Sequence, residues 1–124
     1  MKLRQIYDFN HHLLGYAHWC PGCGEHHVFD TEQANPRGAR WSFDGNMEAP
    51  TFAPSMRVLH QPGEWAYDEA TNNDKWVHTG PEVTKCHYNL TKGMLIYHGD
   101  CLHELAGQTV PLPDRPPQPG GSIV

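Results

Sequence analysis

The sequence predicts a mainly β fold, a small single domain of antiparallel sheet with at most one short helix. Three observations carry this expectation. Twelve Gly and eleven Pro interrupt the 124 residues, leaving no uninterrupted apolar run suited to a helical bundle, a coiled coil or a membrane span. Short segments rich in aromatic and β-branched residues alternate with turn signals. Asp44-Gly45 and Lys92-Gly93 are dipeptides of the kind that close hairpins. The length is that of one domain.

Strands are expected, in order, at residues 5–9, 16–19, 26–29, 39–43, 55–60, 75–78, 83–90, 94–98 and 109–112. Only 102–108 has helical character, and Gly107 ends it within about two turns. The segment 61–74 carries Glu64, Asp68, Glu69 and Asp74 with Trp65 and Tyr67 between them. It reads as a solvated acidic loop, or alternatively as a lid or specificity loop. Residues 111–124 hold five of the eleven prolines and the Gly120-Gly121 pair. The expected organisation is therefore a domain at 1–110 followed by a flexible Pro/Gly-rich tail at 111–124. A core built from 110 residues is small, and a metal staple would help it fold.

Charge and composition narrow the function. The net charge is −5, and the nine Lys and Arg are dispersed along the chain. No basic stripe of the kind a nucleic acid requires is visible, so no nucleic-acid partner is expected. The first residues lack an apolar signal segment. A cytoplasmic protein without a membrane partner is expected. Ten His and four Cys in a reducing compartment point to a metal rather than to disulfides.

Cys20-Pro21-Gly22-Cys23-Gly24 is the strongest local motif. Two thiolates separated by two residues grip one ion in a tight knuckle. The second half of the site comes from the hairpin around Lys92-Gly93. A two-residue turn there pairs Thr91 with Met94 and, stepping outward, Tyr88 with Tyr97. Continued outward, this register sets Cys86, Gly99, Cys101 and His103 on one face and His87, His98 and Asp100 on the other. The expected ligands are Cys20, Cys23, Cys86 and Cys101, the expected ion is zinc, and the expected form is a zinc-ribbon-like knuckle and hairpin. A rival ligand set replaces one Cys by His103, His18 or His87. Four protein ligands close the site and make it structural, whereas three leave a position that can activate water.

The opposite face of the same hairpin carries different chemistry. Asp100 near His87 can hold the imidazole in one tautomer and stabilise its cation. Pro50 and Pro54 stiffen the segment that leads to Ser55. If that strand lies beside the hairpin, Ser55, His87 and Asp100 form a Ser–His–Asp arrangement.

Several of these motifs, in this order, resemble one family. They are Cys20-Pro21-Gly22-Cys23, Trp41 with Asp44-Gly45, Pro50-Thr51-Phe52-Ala53-Pro54-Ser55, Cys86-His87, and the run from Gly99 to Val110. The family comprises small phage and bacterial zinc-binding proteins that often carry the label ammonia monooxygenase, for which nothing in this chain speaks. Some members accompany bacterial ubiquitination-like operons and are regarded as serine peptidases that process or remove a ubiquitin-like protein. The resemblance covers about residues 16–113. It implies Ser55 as nucleophile and His87 or His103 as base, and the face argument favours His87 with Asp100. The acidic segment 61–74 is longer than the family's usual connection at that place.

The leading expectation is thus a small zinc-stabilised serine peptidase acting on a protein or peptide, a ubiquitin-like protein among the candidates. Two others remain. One is a non-catalytic zinc-binding module that binds a partner through Trp65, Tyr67 and the acidic loop. The other is a metallohydrolase with an open zinc site using His87, His103 or Glu104.

Overall fold

The computed structural model describes residues 1–116, which form ten strands in three antiparallel sheets and no helix. The first sheet has the order β1-β2-β3, from Arg4–Tyr7, Leu13–Cys20 and Glu25–Asp30. The second has the order β10-β9-β8-β5-β4. Its strands are β4 (Ser42–Phe43), β5 (Phe52–His60), β8 (Val83–Thr91), β9 (Met94–Tyr97) and β10 (Thr109–Pro111). The third is a ribbon of β6 (Gly63–Asp68) and β7 (Asn73–His78).

The β8–β9 hairpin has the register its turn dictates. Thr91 faces Met94, Leu90 faces Leu95 and Tyr88 faces Tyr97. Lys92 and Gly93 both have positive φ, 49° and 75°, as a two-residue hairpin turn that follows the strand twist requires. Burial alternates along β8: Cys86, Tyr88 and Leu90 are buried while His87 and Asn89 are only half-buried. One face therefore belongs to the core and the other to a site.

The core joins the first two sheets through aromatic rings. Phe29 of β3 stacks on Phe52 of β5 with centroids 4.2 Å apart, and Trp41 meets Phe29 edge-on at 5.5 Å. Leu3, Tyr16, Met56, Tyr88, Leu90, Leu95, Tyr97 and Leu112 pack with them, beside the buried Cys20, Cys86 and Cys101. Such rings supply most of the apolar area available to a core this small.

The structure differs from the sequence-based expectation in three places. The segment 61–74 is no irregular loop, because β6 fills much of it and pairs with β7, Trp65 directly opposite Trp76. Both faces of this ribbon meet solvent, so it shows no burial periodicity, and cross-strand aromatic contact takes the place of core packing. Residues 102–108 form successive turns rather than a helix: Ala106 N–H donates to the His103 carbonyl and Gln108 N–H to that of Leu105. A nucleus this short gains too few bonds to propagate, and the side chains of His103 and Leu105 are drawn inward instead. Finally, the boundary expected at 110/111 falls inside β10. Leu112 is buried and donates its N–H to the Gly93 carbonyl, and Arg115 N–H bonds the Met1 carbonyl. The rest of the expected tail, 117–124, lies outside the described residues.

Candidate active site and metal centre

The site begins with an irregularity in β5. From Phe52 to Met56 this strand advances four residues while its partner β8 advances two, from Leu90 to Tyr88. The surplus is a bulge carrying Ala53, Pro54 and Ser55, with a cis bond between Ala53 and Pro54. Bulges turn a side chain out of the regular pleat. Two bonds from the β4 side hold this one: Trp41 Nε1–H donates to the Ser55 carbonyl at 3.2 Å, and the Ser42 hydroxyl donates to the Ala53 carbonyl at 3.3 Å.

Ser55 Oγ thereby lies 3.2 Å from His87 Nε2, and His87 Nδ1 lies 3.3 Å from Asp100 Oδ1. With Nδ1–H given to the carboxylate, Nε2 is the free acceptor for the serine proton. The His87 side chain is 17% exposed and that of Asp100 47%, so the dyad is sheltered and the acid is wet. His98 stacks on His87 at 4.0 Å and is itself held by Asn89 Oδ1 at 2.7 Å. The imidazole plane is thus fixed from one side by a ring and from one edge by an acid.

On the other face of β8, the structure gathers Cys20, Cys23, Cys86 and His103, with one donor atom from each within 4.8 Å of all the others. This group is able to bind a metal ion. Cys20 and Cys23 come from the β2–β3 turn, where Gly24 has φ 67° and its N–H bonds the Cys20 carbonyl at 2.8 Å. Gly22 is required for space: a Cβ there would lie 2.3 Å from His103 Cε1. His103 Nε2 lies 3.3 Å from Cys86 Sγ. The protonation chemistry fits a cation. A hydrogen bond from Cys86 draws the Cys20 thiol down to about 5, while burial pushes Cys23 up to about 12. Cys86 is raised as well, through its bond to Cys20 and then its burial. Three crowded thiols cannot all ionise beside one another unless a positive ion balances them.

Cys101, the fourth ligand expected from the sequence, stands elsewhere. Its Sγ accepts the His87 N–H and donates to the His87 carbonyl, both at 3.2 Å. The reason is local. Ladder pairing of β8 with β9 ends at Tyr97, and the chain then turns, with Cys101 N–H reaching the His98 carbonyl at 3.5 Å. Face alternation holds only along an extended strand, so its continuation to 101 fails. His103, reached after the turn, occupies the ligand position. Neither His87 nor His18 joins the cluster. His87 faces Ser55, and His18 is sealed in the core. There His18 Nε2 and His27 Nδ1 both bond the Tyr88 hydroxyl, at 2.5 and 3.0 Å, and burial holds the His18 imidazole down to about 3. This His–Tyr–His network beneath β8 had no signal in the sequence beyond the abundance of histidine.

A cleft of about 430 Å³ opens beside Ser55, walled by the 35–41 loop, Val28, Pro54, Met56 and Arg57. A second, of about 570 Å³, lies across Trp41 toward Tyr16 and Thr31.

No curated protein and no solved structure matches the chain. Residues 3–98 match the family described as the bacterial ubiquitination-like system serine protease, BubE. That match spans the Cys20–Cys23 knuckle, the Ser55 bulge and His87, and the chain belongs to the BubE family.

Proposed function

We propose that this protein is a zinc-stabilised serine peptidase in which Ser55 is the nucleophile, His87 the general base and Asp100 the group that orients His87. The observation that carries this reading is the continuous chain Ser55 Oγ–His87 Nε2–His87 Nδ1–Asp100 Oδ1, with links of 3.2 and 3.3 Å. Ser55 Oγ attacks the substrate carbonyl as its proton passes to His87 Nε2. The imidazolium so formed is stabilised by Asp100 and returns the proton to the leaving amine. Water then repeats the sequence on the acyl-enzyme. Backbone N–H groups of the bulge around Ser55 are the candidate donors to the oxyanion. Family membership supports a protein substrate within a ubiquitination-like system. Hydrolysis at the C-terminal glycine-type bond of a ubiquitin-like protein is the reaction we assign.

Cys20, Cys23, Cys86 and His103 are proposed to hold zinc, a borderline-soft ion suited to three thiolates and one imidazole. Four protein ligands leave no open position, so the ion would act as a staple between the β2–β3 knuckle, β8 and the turn after β9. Cys86 and His87 are consecutive, so fixing one face of β8 fixes the base on the other.

The test is labelling with a fluorophosphonate, mapped by peptide mass spectrometry. One adduct on Ser55, absent in Ser55→Ala and at least tenfold slower in His87→Ala, is the expected result. A folded, metal-loaded protein that takes no label, or takes it on another serine, overturns the assignment.

A further inference from the structure

The Ser55 cleft has a charge that the chain as a whole does not. Arg37, Arg40 and Arg57 all line it, and no Asp or Glu does, in a protein of net charge −5. Two of these cations are already engaged. Arg37 holds Glu82 through two bonds, of 2.6 and 3.3 Å, and Arg40 Nε donates to the Thr31 carbonyl at 2.8 Å. Arg57, which faces His87 across the β5–β8 ladder, is exposed, and its side chain has no ion pair or hydrogen bond among the described residues.

The backbone beside Arg57 is equally unclaimed on one side. β4 pairs with Phe52 and Ala53 only, so β5 beyond the bulge has β8 on one side and the cleft on the other. The Ser55 carbonyl, which accepts from Trp41, faces that open side. An extended peptide laid along such an edge gains main-chain bonds, and the side chains of the edge strand select among peptides. Arg57 follows Ser55 by two residues, about 6.6 Å along a strand. A ligand carboxylate on Arg57 would therefore sit about two residues from the bond presented to Ser55.

We infer that the cleft between the open edge of β5 and the 35–41 loop takes an extended peptide with an acidic side chain about two residues from the scissile bond, and that Arg57 recognises it. This names a substrate class for the reading proposed above and rests on it. Arg57 touches the substrate's side chain and not the reacting atoms, so it determines specificity.

The experiment uses two fluorescein-labelled decapeptides of Gly, Ser and Ala, one with two central Glu and the other with Gln in their place. Binding to the full chain carrying Ser55→Ala is read by fluorescence anisotropy. The Glu peptide is expected to bind about tenfold more tightly, the worth of one charge-assisted hydrogen bond, with the preference shrinking as salt rises. Arg57→Gln should abolish the preference and Arg57→Lys should keep part of it. In parallel, fluorophosphonate labelling of the unsubstituted chain reads Ser55 alone, and near-ultraviolet circular dichroism should show that the Arg57→Gln chain folds like its parent. Equal affinity for the two peptides, a preference that survives Arg57→Gln, tighter binding of a single-stranded oligonucleotide, or no binding of the Glu peptide up to about 1 mM would each overturn the inference. Failure of Ser55 to label with the acidic preference intact would instead sink the peptidase reading and leave an acidic-peptide cleft.

Discussion

Gly22→Ala separates space from conformation at the Cys20–Cys23 knuckle of the proposed zinc site. The new Cβ would stand 2.3 Å from His103 Cε1 and 2.5 Å from both ring nitrogens. Ordinary carbon contacts begin near 3.5 Å, so the ring must retreat by about 1.2 Å. Metal–ligand bonds tolerate only about 0.2 Å, so His103 would leave the ion. A hundredfold loss of affinity is a fair scale for a displaced ligand, since perturbing even the supporting shell costs about 10- to 100-fold. At saturating metal this removes about 2.7 kcal/mol of linked stability, and about 10 °C from the melting temperature of a domain this size. Gly24→Ala is the contrast. It has open space around its Cβ but a φ of +67°, so it should cost about 1–2 kcal/mol in backbone strain and leave metal affinity unchanged. Competition with a chromophoric zinc chelator, together with thermal unfolding, reads both. The decisive arm is the double variant: Gly22→Ala added to His103→Ala should cost no further affinity, because the ring it displaces is gone. A Gly22→Ala protein that binds zinc like its parent would refute the placement of His103 in the cluster.

Further outcomes follow from the same geometry. Cys101→Ala should retain one zinc per chain by mass spectrometry, while Cys86→Ala should lose it; loss in both variants, with zinc kept in His103→Ala, would restore the four-cysteine site. Because Cys101 bonds both backbone groups of His87, its replacement should also slow Ser55 labelling several-fold at unchanged metal content. Asp100→Asn should slow turnover by about 10- to 100-fold, less than the roughly 10⁴ seen for a buried triad acid, because Asp100 is 47% exposed and water shares its role. An unchanged rate would remove it from the mechanism. Chelation should abolish near-ultraviolet circular dichroism and Ser55 labelling at the same chelator concentration. Peptide hydrolysis lost while the fold persists would favour a metallohydrolase.

Much of the site was legible because one strand carries it. The Lys92-Gly93 turn fixes the pairing of β8 with β9, and pairing fixes faces, so the separation of Cys86 from His87 followed from residue order alone. The same reasoning carried past Tyr97 placed Asp100 beside His87, where it stands, and Cys101 beside Cys86, where it does not. A turn resets the face of every residue after it, and nothing in Gly99-Asp100 announces by how much. β6 escaped for a related reason, although 75–78 was legible as a strand and lies within β7: periodicity is a record of burial, and a ribbon wet on both faces leaves none. Ser55 is the deeper case. Its position depends on a bulge that spends two residues more than its partner strand, and the proline that helps form it reads in sequence only as stiffness. The bulge is also what leaves the edge of β5 open past Ala53. The irregularity that turns the serine toward His87 is therefore the one that clears a path for a peptide to reach it.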